Sequence, residues 1–280
     1  MKYSELCEVY LKLEGTTKRL EKTEILSSFL KKLKQEENEI IYLLQGRVFA
    51  NYDQREMGIS DKLTIKAISK STGISESEIV KSWKNLGDLG VVAEEAKKTK
   101  KQIPLFSSHL TTEKVLANLR KLTELEGKGT VDKKLALISE LLTAASPIVA
   151  RYLVRNLIGD LRVGVGDSVI RDAIVWSKID RENKEAYGFV QEAYDKNSDF
   201  ALVFELASKG IKELRDVKLS ADKPVKVMLY PKAKNIADAF EKLGKPCAFE
   251  FKYDGFRLMI NKEGENVRLY TRRLENVSRP

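Results

Sequence analysis

Histidine is almost absent: His109 is the only one in the 280 residues. Serine–histidine hydrolase chemistry would have to rest on that single side chain, and zinc sites of the Cys/His type have almost no ligands to draw on. His109 stands beside Ser107, Ser108 and the Thr111–Thr112 pair, and it reads as lying near a helix start rather than in a catalytic site. Cysteine is nearly as scarce. Cys7 and Cys247 are far apart and suggest no disulfide framework, which fits a reducing cytoplasm. No apolar run approaches the roughly 18 residues of a membrane span. The first 13 residues mix charges through their apolar positions and do not form a signal peptide. Any chemistry therefore falls to lysine, arginine and carboxylates.

What is present is charge. Charged residues make up 32% of the chain and leave it at +9, while 42% of residues are apolar and can build a sizeable core. The length suggests about two domains. The basic balance favours an anionic partner, with nucleic acid the first candidate, although many basic proteins bind none.

The first two-thirds reads as helices. Tyr3, Leu6, Val9, Tyr10 and Leu13 recur at helical spacing, and Leu20, Ile25, Leu26, Phe29, Leu30 and Leu33 continue the pattern. Ser75-Glu76-Ser77-Glu78 has the form of a capping box opening a helix to about Leu86, and Ser146-Pro147 places a capping serine before a first-turn proline. Glycines 73, 87 and 90 are expected to stop helices, and the lysine-rich stretch 94–102 reads as a solvated connector. No fixed-period repeat is visible, so a helical array ending near Arg215 is expected.

Beyond it the pattern changes. Residues 224–230, 247–251, 256–260 and 267–271 read as strands, with a helix from Asn235 to Leu243 ended by Gly244. Asp254-Gly255 and the stretch 262–265 read as turns. So small a sheet, with open edges, is rarely a whole domain, so the chain is expected to be truncated inside its second domain, at Pro280.

Within the segment Ala248-Phe-Glu-Phe-Lys-Tyr-Asp-Gly-Phe-Arg257, strand alternation would put Glu250, Lys252 and Asp254 on one face. A lysine seated against apolar neighbours loses solvation of its charged form, so its pKa should fall and its amine become nucleophilic. Arg257 would push the same way and can fork onto phosphate oxygens. The plainer reading is a hairpin whose lysine faces solvent, and K-x-D-G alone is too short to choose between them. A second basic cluster, Tyr270-Thr-Arg-Arg-Leu-Glu-Asn276, ends the last strand. Upstream, the helix from Arg151 runs into a glycine-spaced loop, Gly159-Asp-Leu-Arg-Val-Gly-Val-Gly166, with Arg155 and Arg162 nearby and a new helix near Asp167. Such a loop lets backbone amides approach phosphate, or it is an ordinary helix connection with solvated arginines.

Lys252-Tyr-Asp-Gly255 with Arg257 resembles motif I, K-x-D-G-x-R, of nucleotidyltransferases that form a lysyl-nucleotide. Thr271-Arg-Arg-Leu-Glu-Asn276 resembles the following signature, S-R-x-x-E-(D/N), of ATP-dependent DNA ligases of the archaeal and eukaryotic type. The glycine loop resembles the G-x-L-R-x-G-x-(G/A)-(D/E) signature of their N-terminal DNA-binding domain, and Leu125-Glu-Gly-Lys-Gly-Thr-Val-Asp-Lys-Lys134 resembles that domain's other glycine-basic turn. The resemblance runs almost end to end. It implies a mainly α domain over residues 1–215, a helical DNA-binding array, followed over 216–280 by the first strands of an α+β nucleotidyltransferase (ATP-grasp-like) domain.

It implies, further, that Lys252 is the catalytic nucleophile toward the α-phosphate of ATP. Glu250 would contact the adenine, Arg257 the ribose and nick, and Arg272 the 5′-phosphate, with Asp254 supporting the later steps and Glu275 serving chemistry or structure. Lys128, Lys133, Lys134, Arg155, Gly159, Arg162, Gly164 and Gly166 would face DNA. ATP and Mg²⁺ would be required, with metal ligands beyond Pro280. Nicked double-stranded DNA is the implied partner, a sliding clamp a further candidate, and the setting a nucleoid-associated monomer. Phe256 stands where relatives often carry glutamate, and Thr271 where serine is usual. Three rivals stay open: an RNA ligase or capping-type nucleotidyltransferase, a non-catalytic DNA-binding module, and a basic helical scaffold.

Overall fold

A computed structural model describes residues 1–53, 55–99, 110–125, 127, 129–221, 223–225, 227 and 232–278. Helix α1 (Tyr3–Glu14) buries Tyr3, Leu6, Cys7, Tyr10 and Leu13 completely, the face that period 3.6 assigns to the core. Side chains of this size contribute roughly 1.5–3 kcal/mol each when fully buried. Their polar ends are also satisfied: the Tyr10 hydroxyl donates to the Leu43 carbonyl at 2.8 Å. The chain start is tied down by Tyr3 N–H to Leu110 O (2.8 Å) and Thr112 N–H to Met1 O (3.0 Å).

The array continues with α2 (Arg19–Leu30), a 3₁₀ turn (Gln35–Glu37), α3 (Ile40–Leu44), α4 (Asp61–Thr72), α5 (Glu76–Leu86), α6 (Leu89–Thr99), α7 (Thr112–Glu124) and α8 (Thr130–Ala144). It closes with α9 (Pro147–Leu157), α10 (Asp167–Lys178), α11 (Lys184–Asn197), α12 (Phe200–Lys209) and α13 (Ile211–Arg215). The main packing pairs are α6 on α9, α2 on α10 and α4 on α8, and their buried side chains merge into one hydrophobic core. Among the described residues no helix is long and apolar enough to cross a membrane.

Several local expectations hold. Ser75 and Glu78 form the reciprocal capping box of α5, and Gly73 and Gly87 close α4 and α5. Pro147 opens α9 after Ser146, but the Ser146 side chain makes no capping hydrogen bond. Leu20 is exposed rather than buried. It precedes Leu26 by six positions, about two-thirds of a turn out of phase.

Gly90 does not stop a helix; it sits in the first turn of α6. A Cβ there would stand 2.7 Å from the Arg151 carbonyl oxygen and 2.8 Å from Arg155 Cγ. The residue is needed for the close approach of α6 to α9. Gly90→Ala is therefore expected to destabilise the fold by about 1–3 kcal/mol, the usual cost of overpacking; a lowered urea midpoint at unchanged slope checks this. The expected connector over 94–102 is also corrected. Residues 94–99 complete α6, Glu94 is buried beside Arg151 at 2.5 Å, and Lys97 Nζ donates to the Leu142 carbonyl at 2.9 Å. The charges of this stretch serve packing on α8 and α9. Residues 100–102 and His109 lie outside the described residues.

After α13 come α14 (Ile236–Leu243), capped by Asn235 and ended by Gly244, and a two-stranded antiparallel sheet, β1 (Leu258–Glu263) and β2 (Asn266–Thr271). The sheet turns through Gly264-Glu265, with Gly264 at φ 57°. Residues 247–251 and 256–257 form no strand. Strand propensity is expressed only where another chain segment supplies the ladder, and no described segment pairs with 247–253. The strand expected at 224–230 falls largely outside the described residues.

Candidate nucleic-acid interface and lysine motif

The expected glycine loop joins α9 to α10. Its first contact runs inward: Arg155, in the last turn of α9, is only 2% exposed. Its guanidinium donates to Glu14 Oε2 at 2.7 Å and Oε1 at 3.1 Å, and to Asp88 Oδ2 at 2.7 Å. Asp88 in turn caps α6, accepting from the Gly90 amide at 2.7 Å. Arg155 was expected at the DNA surface; it is instead an interior residue joining α1, α6 and α9. Two carboxylates hold it there, and its burial keeps it from the protein surface. Burial alone would raise the carboxyls of Glu14 and Asp88, but the Arg155 hydrogen bonds and charge hold both below the usual carboxylate range.

Arg162 is placed differently. It is exposed at 44% of its side chain, and its backbone adopts φ 57°, a region that costs a non-glycine residue free energy. Nε donates to Asp160 Oδ2 at 2.7 Å, and Nη1 reaches Asp88 Oδ2 at 3.5 Å. Gly159, Gly164 and Gly166 are exposed beside it. Among the described residues the amides of Gly164, Val165 and Gly166 have no acceptor, and no side chain caps α10.

The second glycine-basic turn feeds α8 as expected, with Gly129 at φ 82° before Thr130. Lys133 is exposed in the first turn. Lys134 donates to the Met57 carbonyl at 2.7 Å, and Lys128 lies outside the described residues. Met57 and Gly58 line a cleft of about 540 Å³ whose other wall includes Gly159. Gly159 of the first loop thus lines this cleft, and Lys134 of the second turn reaches its wall at Met57.

Sequence reasoning missed this connecting segment. It carries Arg47 and Arg55, and the Arg55 guanidinium stacks 3.6 Å above Phe49 while pairing with Asp53 at 2.6 Å. The alternation of basic and aromatic residues, Arg47, Phe49, Tyr52, Arg55, was the available signal.

The lysine motif is open. Lys252, Glu250, Asp254 and Arg257 are exposed, and Phe249, Phe251, Tyr253 and Phe256 are 78–102% exposed, so the described residues do not form the apolar seat expected for the amine. The stretch 250–258 surrounds a shallow concavity of about 550 Å³. The register does bring two expected residues together. Leu258 pairs with Thr271, so Arg257 and Arg272 flank the last rung at one end of the hairpin.

The Thr271–Asn276 turn is closed by its own side chains. Thr271 Oγ1 donates to Glu275 Oε2 at 3.0 Å and accepts from the amides of Arg273 and Glu275. The hydroxyl that threonine shares with serine is thereby used, and Glu275 has a structural role. Leu274 at φ 66° is buried beneath the turn, leaving Arg272 exposed. Among the described residues no group of three or more His, Cys, Asp or Glu side chains is placed to hold a metal.

Comparison with known families agrees with both halves. The family described as DNA ligase N terminus matches residues 2–175, and the ATP dependent DNA ligase domain matches residues 227–280. The chain belongs to the ATP-dependent DNA ligase family. It is 41% identical to a DNA ligase of Thermococcus fumicolans across 100% of its own length and 49% of that relative. It is likewise 41% identical to a DNA ligase of Nanoarchaeum equitans, covering 48% of it, and 37% identical to one of Nitrosopumilus maritimus, covering 47%. The chain therefore spans about half the length of the curated relatives it matches. For this ligase-family chain, both glycine loops lie inside the first matched region and the lysine motif inside the second.

Proposed function

We propose that residues 1–215 grip nicked double-stranded DNA and that residues 216–280 begin the nucleotidyl-transfer domain of an ATP-dependent DNA ligase. The observation that carries the first part is the loop 159–166, where unpaired amides at 164–166 stand beside an exposed Arg162. Amides and a guanidinium together suit phosphate oxygens. A nick sealer must accept any sequence, so contacts belong on the backbone and in the minor groove, with Lys133 and the cleft at 46–60 extending the track.

In the full-length enzyme, Lys252 Nζ would attack the α-phosphorus of ATP. A P–N bond forms, the P–O bond to pyrophosphate breaks, and the amine loses a proton. Arg257 and Arg272, together at one hairpin end, would receive phosphate groups. Glu250 would contact the adenine, and Asp254 would position the reacting groups in the later steps. Mg²⁺ would supply charge neutralisation on the phosphates; among the described residues no group of three or more His, Cys, Asp or Glu side chains is placed to hold it. The exposed aromatics around Lys252 favour a second statement: this chain alone binds DNA without adenylating itself.

The test is a titration of nicked duplex against the chain over a range of salt. Affinity should fall steeply and linearly on logarithmic axes, the sign of counterions returning to phosphate. Arg162→Ala should weaken binding on every sequence alike and reduce the slope by about one. Binding indifferent to salt would point to the scaffold reading instead.

A further inference from the structure

We propose that Lys22, on α2, is a positioning residue of the glycine loop: it holds the loop's carbonyls inward so that the following amides face a DNA phosphate. This rests on the reading of the loop as a DNA contact. Lys22 is only 8% exposed, rare for a lysine. Its ammonium donates to the Val163 carbonyl at 2.5 Å and the Gly164 carbonyl at 3.2 Å. It meets no carboxylate in an ion pair among the described residues, although buried charges normally find one.

Peptide geometry gives the consequence. In a trans peptide the C=O of one residue and the N–H of the next point in opposite directions. With the carbonyls of Val163 and Gly164 turned down onto Lys22, the amides of Gly164 and Val165 turn away from it, toward solvent. Neither amide has an intramolecular acceptor. A Cβ at Gly164 would stand 2.6 Å from Lys22 Nζ and push the ammonium off the carbonyls, and the residue is held at φ 61°, where a side chain is strained. The same helix also fixes the far end of the loop, since Arg19 Nη2 pairs with Asp172 Oδ2 of α10 at 2.5 Å. The uncompensated charge of Lys22 lies directly under the amides, and a phosphate above them supplies the anion that the interior does not.

The experiment uses the whole chain and a short nicked duplex. Amide hydrogen exchange, followed residue by residue, should slow at Gly164 and Val165 when DNA is added. Lys22→Met keeps the length of the side chain and removes its charge and donors; affinity should fall by about tenfold or more, the effect of losing one charge-assisted contact. Lys22→Arg, which keeps both charge and donors, should recover part of that loss. Combined with Arg162→Ala, the two losses should be less than additive, because both act at one loop.

Unchanged affinity in Lys22→Met, while Arg162→Ala has lost binding, overturns the proposal and leaves the loop as a DNA contact. Silence in both variants removes the loop reading as well. If Lys22→Met does not fold, exchange in the unaltered chain decides: amides 164 and 165 unprotected at saturating DNA overturn the proposal.

Discussion

Lys252→Ala is expected to abolish adenylate transfer completely in a chain carried to the full length of its relatives, and to leave DNA binding unchanged. The amine is the only atom proposed to bond to phosphorus, and alanine offers no substitute. Lys252→Arg should be equally inactive, because a guanidinium stays protonated and has no free electron pair. Transfer of label from α-labelled ATP to the protein measures the first half, and titration with nicked duplex the second. The separation is expected because Lys252 is exposed and lies outside residues 1–215, to which the DNA grip is assigned. A binding module without catalysis would show no label in the unaltered full-length chain either.

Arg155→Met should produce the largest loss of stability. The arginine is almost wholly buried and joins Glu14 to Asp88. Removing the arginine leaves the buried Asp88 with only its longer contact to Arg162, and the exposed Glu14 with only its longer contact to Arg151, at a cost of about 3 kcal/mol, the low end for a broken buried pair. For a chain of this size that lowers the melting temperature by roughly 10 °C.

The effect also has a pH signature. The carboxyls of Glu14 and Asp88 lie lower in the fold than in the unfolded chain, where nothing pairs them. Their contribution is therefore complete above the ordinary carboxylate range and is lost as pH falls through it toward their lowered native values. The unaltered chain should lose stability over that window. Arg155→Met should lose less there, because the share that depends on the arginine is already gone, so the two melting curves draw together in acid. Parallel curves would contradict the role assigned to the network.

These residues show which parts of the molecule could be read in advance. The face Tyr3, Leu6, Tyr10, Leu13 and the Ser75–Glu78 box are local patterns, and both formed as expected. So did the helix from Asn235 to Gly244. Gly90 and Arg155 misled because their roles depend on neighbours distant in the chain: Arg151 for the glycine, Glu14 and Asp88 for the arginine. Lys22 carried no visible signal, since a lysine inside a helix is ordinary until its carbonyl partners, some 140 positions away, are known. At 247–251 the β-forming residues are present but no described strand pairs with them, which shows how far strand formation depends on a partner. In the lysine motif, the family resemblance gave Arg257 and Arg272 separate phosphate-side roles, and the hairpin register places both at one end. The seat for Lys252 could not be read, because burial belongs to what packs against a segment.

Both glycine loops and the cleft lined by Met57, Gly58 and Gly159 are proposed to form one track for the DNA backbone. Cross-linking from photoreactive phosphates flanking a nick tests it most directly. Adducts are expected on residues 46–60, on the first turn of α8 including Lys133, and on 159–166. Adducts concentrated on the acidic hollow between Glu36, Glu39 and Glu113, with those three segments unmarked, would contradict it.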